Sequence, residues 1–316
     1  MPSRSPWSGW TDYRATARYA WPVTATPFPW ATVLRVPWRL FSFGVAWILA
    51  QGIAESVLGP VFGLISRGVG ESVPMYPWTM LIGVGTACAV SLRFVDDVPW
   101  TVMGLGESSW SLTHLWRGWL LGTGAIVLTA AVLWVSGLLR WETVALPGEL
   151  GAALVQDSWG GAALRLLLLL APAALWEELV FRGYLYAVAH EAAGRLVARL
   201  SSSVAFGVVH LLNPGANVQT TCIVMLAGWC LCVIRERTNS LPAAWSAHLA
   251  WNWVMAAVLH VPVSGLPLSS PGYRAVLSGP AWISGGAWGP EGGVVAALVL
   301  GGAAFWATKE RTTLRS

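Results

Sequence analysis

Long apolar stretches separated by short polar breaks dominate the chain. Eight of them are candidate membrane spans, at roughly 40–65, 76–92, 118–139, 162–189, 196–212, 217–235, 240–260 and 288–308. Each is near the length a helix needs to cross a hydrocarbon core, about 20 residues. As helices they close their own backbone hydrogen bonds, which lipid demands. The predicted fold is therefore all-α: a polytopic membrane bundle of about eight transmembrane helices around a buried polar cavity. Residues 1–38 read as a basic, aromatic arm, cytosolic or lying on the membrane surface, and their lack of an apolar core segment argues against a cleavable leader. The bundle occupies 39–260. Residues 261–287, "VPVSGLPLSSPGYRAVLSGPAWISGGA", are rich in Gly, Pro and Ser and read as an outer loop, re-entrant or fully outside. Residues 288–316 supply the last span and a short basic tail.

Composition agrees with this pattern. Hydrophobic residues make up 55% of the chain and charged residues only 11%, against about 25% charged in a soluble domain. The 22 Trp residues suit membrane–water interfaces. The placement of charge matters more than its net value. With the N-terminus in the cytosol, the inner segments hold Arg4, Arg14, Arg18, Arg35, Arg39, Arg93, Arg117, Arg195, Arg199, Arg235, Arg237, Lys309, Arg311 and Arg315. Only Arg67, Arg140 and Arg274 fall outside. This bias favours a multi-pass protein of the cell membrane with both termini inside. No basic stripe with aromatic platforms is present, so nucleic acid is not an expected partner. Cys88, Cys222, Cys230 and Cys232 all lie in apolar segments and form no zinc-type pattern, which points to plain packing. Nothing in the pattern fixes the oligomeric state.

The informative residues are polar ones at membrane depth. Glu55 stands alone near the end of the first span and reads as structural. "LWEELVFRGYLY" (Leu175 to Tyr186) carries Glu177, Glu178 and Arg182 in an otherwise apolar run. Ionisable groups there are costly and face a protein interior or a watery cavity. Glu178 and Arg182, four apart, stack on one helical face as an ion pair. Glu177 points about 100° away and is left for another partner. The alternative is one buried network that merely pins helices together. Two later spans carry His210, four residues after Phe206, and His248 with Asn252 one turn on. At about 1.5 Å per residue, Glu177 and His210 lie roughly 20 Å from their cytosolic helix ends, and His248 and Asn252 roughly 12–18 Å. All four reach the middle of a core about 30 Å thick.

A carboxylate, two imidazoles and an amide form a hydrolytic set. Glu177 would take a proton from water, His210 would share that water or orient Glu177, and His248 and Asn252 would donate to an oxyanion. No Ser in a GxSxG setting appears, nor a Cys with a His at helical spacing. No cofactor is favoured. If zinc were present, its ligands would be Glu177, His210 and His248, although the HExxH signature is absent.

"EELVFRG", "FGVVH" and "HLAWN" resemble the three motifs of the CPBP family (CAAX protease and bacteriocin-processing, also called Abi), written EExxxR, FxxxH and HxxxN. These are intramembrane endopeptidases related to the type II CAAX prenyl proteases. The resemblance covers roughly 115–260. It implies a helical bundle with a cavity open to the cytosol, Glu177 activating water, and His210, His248 and Asn252 completing the site. Glu178 and Arg182 would hold the motif helix. The implied partner is a peptide or membrane-protein substrate in the lipid bilayer. In a bacterial member the implied role is peptide, pheromone or bacteriocin maturation, or immunity to such a peptide. Two alternatives remain at this stage: a non-catalytic scaffold or immunity partner of the same family, and a proton-coupled transporter.

Overall fold

The computed structural model describes residues 29–69, 74–143, 159–268 and 273–313. Eight helices of more than ten residues build this part: α1 (Pro29–Val69), α2 (Tyr76–Val90), α3 (Leu112–Val135), α4 (Trp159–Glu178), α5 (Tyr186–Val209), α6 (Val218–Thr238), α7 (Leu241–Trp253) and α8 (Val294–Thr313). Three of them run on into wide, π-type turns: α2 through Ser91–Asp96, α4 through Leu179–Leu185 and α7 through Val254–Val258. Such turns rotate the following side chains relative to an α-helix and are frequent at functional sites.

Four helices are long and apolar enough to cross a membrane: Leu34–Arg67, Tyr76–Asp96, Leu112–Val135 and Val218–Thr238, with a shorter apolar helix at Val294–Phe305. The stretches 162–189 and 196–212 are two helical segments, as expected, separated by a break at Gly194, whose backbone is non-helical (φ 80°, ψ 179°). The stretch 240–260 is the 13-residue α7 plus its five-residue wide turn.

Two expectations need correction. The arm expected over 1–38 ends earlier, because α1 starts at Pro29 and runs 41 residues past Pro37 and Pro60. Residues 1–28 lie outside the described residues. The expected outer loop 261–287 is built rather than irregular. Its residues Tyr273–Leu277 (β2) pair antiparallel with Leu139–Thr143 (β1), in the register Leu139↔Leu277 to Thr143↔Tyr273. Arg140 and Arg274 flank Glu142 across this ladder, at 3.1 and 3.0 Å, and these two hydrogen-bonded guanidinia hold the exposed Glu142 carboxyl below its ordinary pKa. Five-residue strands hidden in a Gly/Pro/Ser-rich stretch leave too short an alternation to read from sequence.

Two large apolar clusters form the core, one around Phe43, Val84, Phe181 and Tyr184 and the other around Ile126, Leu133, Leu170 and Met255, and α3 crosses α7 in close backbone contact. A Cβ on Gly118 would lie 2.1 Å from the Ala243 carbonyl oxygen, and one on Gly122 would lie 2.0 Å from that of Ala247. Gly118 and Gly122 therefore face Ala243 and Ala247 as two small-xxx-small stripes, which let the backbones touch, the packing that membrane helices use in place of a hydrophobic drive. His248 follows Ala247 directly, so this crossing sets its height. Gly122→Leu is expected to force the helices apart and lower the melting temperature in detergent by more than 5 °C. Gly124→Leu, at a position where an added Cβ meets nothing within 4 Å, should leave it unchanged. Equal melting of both variants would contradict the close crossing.

Candidate active site

The motif helix ends as α4 and turns wide at Leu179. Glu178 and Arg182 are both completely buried, and Arg182 Nη1 donates to Glu178 Oε1 at 2.9 Å. The same oxygen is 2.9 Å from His248 Nδ1 on α7. A carboxylate paired with a guanidinium accepts, so Nδ1 of His248 carries a hydrogen and Nε2 is turned toward Glu177. On its other side the Arg182 guanidinium lies over the Phe206 ring, 4.0 Å from the centroid. Phe206 in turn meets Phe181 edge-on at 5.3 Å and His248 edge-on at 5.8 Å. One aromatic ring thus joins the Arg of the first motif to the His of the third.

Glu177 takes the neighbouring face. Its Oε2 is buried, has no hydrogen-bond partner among the described residues, and lies 3.9 Å from His248 Nε2. One water placed about 2.8 Å from each atom would bridge that gap. His210 caps α5, and its Nδ1 sits 2.7 Å from the Phe206 carbonyl oxygen. A carbonyl only accepts, so this imidazole also keeps Nδ1–H and presents Nε2. The two imidazoles therefore share one tautomer, each set by a buried acceptor.

A cavity of about 340 Å³ opens between α3, α6, α7 and α8. His210, His248 and Asn252 line it together with Phe206, while Glu177 is not among its lining residues and meets it only through His248. The structure thus gathers Glu177, Glu178, Arg182, Phe206, His210 and His248 in one contact network. Asn252 joins them on the cavity wall. Two arginines, Arg117 and Arg237, and one further acid, Glu291, also line this cavity. The sequence reading gave none of the three a role. Glu291 lies in "WGPEGG", where a lone acid at the mouth of a predicted span was the available signal.

A second buried network, also missed, clamps the motif segment from the other side. Arg39 of α1 pairs with Asp96 at 2.5 Å and with Glu191, and Tyr184 in the wide turn donates to Asp96 at 3.0 Å. Tyr184 also stacks on Phe43 at 4.6 Å. The first helix therefore holds the motif turn directly.

Among the described residues, no group of three or more His, Cys, Asp or Glu stands at metal-holding spacing. The nearest carboxylate to His248 Nδ1 belongs to Glu178, which Arg182 already occupies. The set Glu177, His210 and His248 is thus not gathered as a metal site in this arrangement.

The comparisons bear on this geometry. Residues 159–254 match the family model described as type II CAAX prenyl endopeptidase Rce1-like. This segment is Rce1-like. All three motifs fall inside it, in agreement with the CPBP resemblance. The match covers under a third of the chain. No curated protein and no solved structure matches the chain. The Rce1-like segment thus contributes α4 to α7, while the Arg39 clamp and Glu291 lie outside it. Residues 159–254 are thus similar to a family of membrane proteases, in a chain with four described helices long and apolar enough to cross a membrane.

The two adjacent glutamates should differ sharply in what they contribute to stability. Glu178→Ala strands the buried Arg182 and is expected to cost about 3–5 kcal/mol. Glu177→Ala removes a carboxylate with no hydrogen bond to lose and should cost under about 1 kcal/mol. Reversible unfolding in bicelles measures both, and equal costs would contradict this division.

Proposed function

We propose that this protein is an intramembrane endopeptidase in which Glu177 activates water against a peptide carbonyl. The observation that carries the reading is the gap between Glu177 Oε2 and His248 Nε2, 3.9 Å wide and, with the imidazole in its neutral form, bounded by two acceptors. A water there has both hydrogens engaged and its oxygen lone pairs free for attack. Glu177 takes one proton as the water oxygen bonds to the carbonyl carbon. The resulting oxyanion is met by the Asn252 amide on the cavity wall. Glu177 then returns the proton to the departing amine as the C–N bond breaks. His248, fixed through Glu178, orients the water, and His210 supplies a second oriented imidazole. No step passes through a metal.

With both termini in the cytosol, the end of the cavity bearing Arg117 and Arg237 faces the cytosol. The substrate is a peptide or the end of a membrane protein, with maturation of a secreted peptide, pheromone or bacteriocin, or immunity to one, as the biological role. The test is incubation of wild type and Glu177→Gln, in nanodiscs, with a membrane-peptide library read by mass spectrometry. Cleavage by wild type and a loss of at least about 10³-fold in Glu177→Gln is the expected result. Undiminished cleavage by the variant would rule out glutamate-activated water, and an inert wild type would favour a binding partner over an enzyme.

A further inference from the structure

Glu291 is 9% exposed and lines the same cavity as His210, His248 and Asn252. Three neutral donors hold its carboxylate. Oε1 accepts from the Ser264 N–H at 2.6 Å and from the Ser264 hydroxyl at 2.8 Å, and Oε2 accepts from Trp251 Nε1 at 2.8 Å. Among the described residues no Arg, Lys or His pairs with it. This sets it apart from the buried acids Glu178, Asp96 and Glu236, each of which has a guanidinium at hydrogen-bond distance. A buried carboxylate without a counter-charge is costly to maintain. A carboxylate has about four acceptor positions, and Oε2 uses only one of them.

The surroundings fix this group rather than let it swing. Ser264 holds a left-handed backbone (φ 49°), and its carbonyl accepts from Asn213 Nδ2 at 3.1 Å. Gly265 donates to the Trp288 carbonyl at 2.9 Å. A Cβ on Gly265 would lie 2.1 Å from the Pro214 carbonyl oxygen. Trp251, the third donor, stands one position before Asn252 and one turn, about 5 Å, beyond His248. The carboxylate is thus anchored to the helix that carries the third motif, at the end of the cavity opposite Arg117 and Arg237. The slot is polarised, basic at one end and acidic at the other.

We propose that Glu291 is a specificity subsite that receives a basic group of the substrate, the ammonium of a lysine or the guanidinium of an arginine. The incoming cation completes an acidic site already shaped by three donors, and its desolvation is offset by a charge-assisted hydrogen bond to Oε2. The subsite rests on the cavity being where peptide binds, as in the preceding reading, and its third donor, Trp251, stands one helical turn from His248.

The experiment measures binding, so that it does not depend on turnover. Nanodisc-embedded Glu177→Gln is titrated with peptides identical except at one scanned position, which carries Lys, Arg, norleucine or Glu. The expected result is a register at which Lys or Arg binds at least tenfold more tightly than norleucine. In Glu177→Gln combined with Glu291→Gln that preference should fall below twofold while the norleucine peptide keeps its affinity. Absence of such a register, absence of any peptide binding, or a preference that survives Glu291→Gln would overturn the proposal. Should the Glu291→Gln chain not fold, competition decides: n-butylammonium must displace the Lys peptide from the unaltered cavity and n-butanol must not. A preference in binding with no cleavage of any peptide by wild type would leave the subsite standing and remove the protease. Cleavage with no preference would do the reverse.

Discussion

A single carboxylate oxygen, Oε1 of Glu178, organises the site. It lies 2.9 Å from Arg182 on its own helix and 2.9 Å from His248 on another. The low dielectric that makes a buried charge expensive also makes this three-way contact strong once every member is paired. The Arg182–Glu178 pair fixes the wide turn after α4. The Glu178–His248 contact fixes the imidazole's orientation and its tautomer. What remains over is Glu177, adjacent in sequence, about a quarter-turn away in space, whose Oε2 has no hydrogen-bond partner among the described residues. The doubled glutamate is thus a division of labour in which one acid supports the structure and the other is left available.

The frame around this contact is made by close backbone approach and buried charge more than by apolar bulk. Gly118 and Gly122 let α3 touch α7 just before His248. Arg39, Asp96 and Tyr184 hold the motif turn from the α1 side. The segment around Ser264 and Glu291 closes the far end of the cavity and ties into α7 through Trp251. The Rce1-like match spans only 159–254, yet all three of these supports draw on residues outside it. The three motifs are therefore held by a frame that the family match does not include.

The sequence made some features legible and hid others for physical reasons. Glu177, Glu178, Arg182, His210 and His248 stood out because an ionisable group in an apolar helix is conspicuous, and their i, i+4 spacings give their faces directly. The bond between Glu178 and His248 joins positions 70 apart, which no periodicity reports. The break between the stretches 162–189 and 196–212 was legible, and it falls at Gly194, whose positive φ ends one helix before the next begins. The β1–β2 pairing escaped because its strands are five residues long and about 130 positions apart. Glu291 escaped because a lone acid between Pro and Gly looks like loop chemistry until its three donors are seen.

The most direct test of water activation by Glu177 is isotopic. A single turnover in ¹⁸O-labelled water, followed by mass spectrometry of both the cleaved peptide and the protein, separates direct attack by water from attack by the carboxylate itself. The expected result is one ¹⁸O in the new C-terminal carboxylate of the product and none in the peptide containing Glu177 and Glu178. Label appearing in Glu177 would mean that this carboxylate bonded to the substrate as a nucleophile, and would contradict its role as the base that activates water.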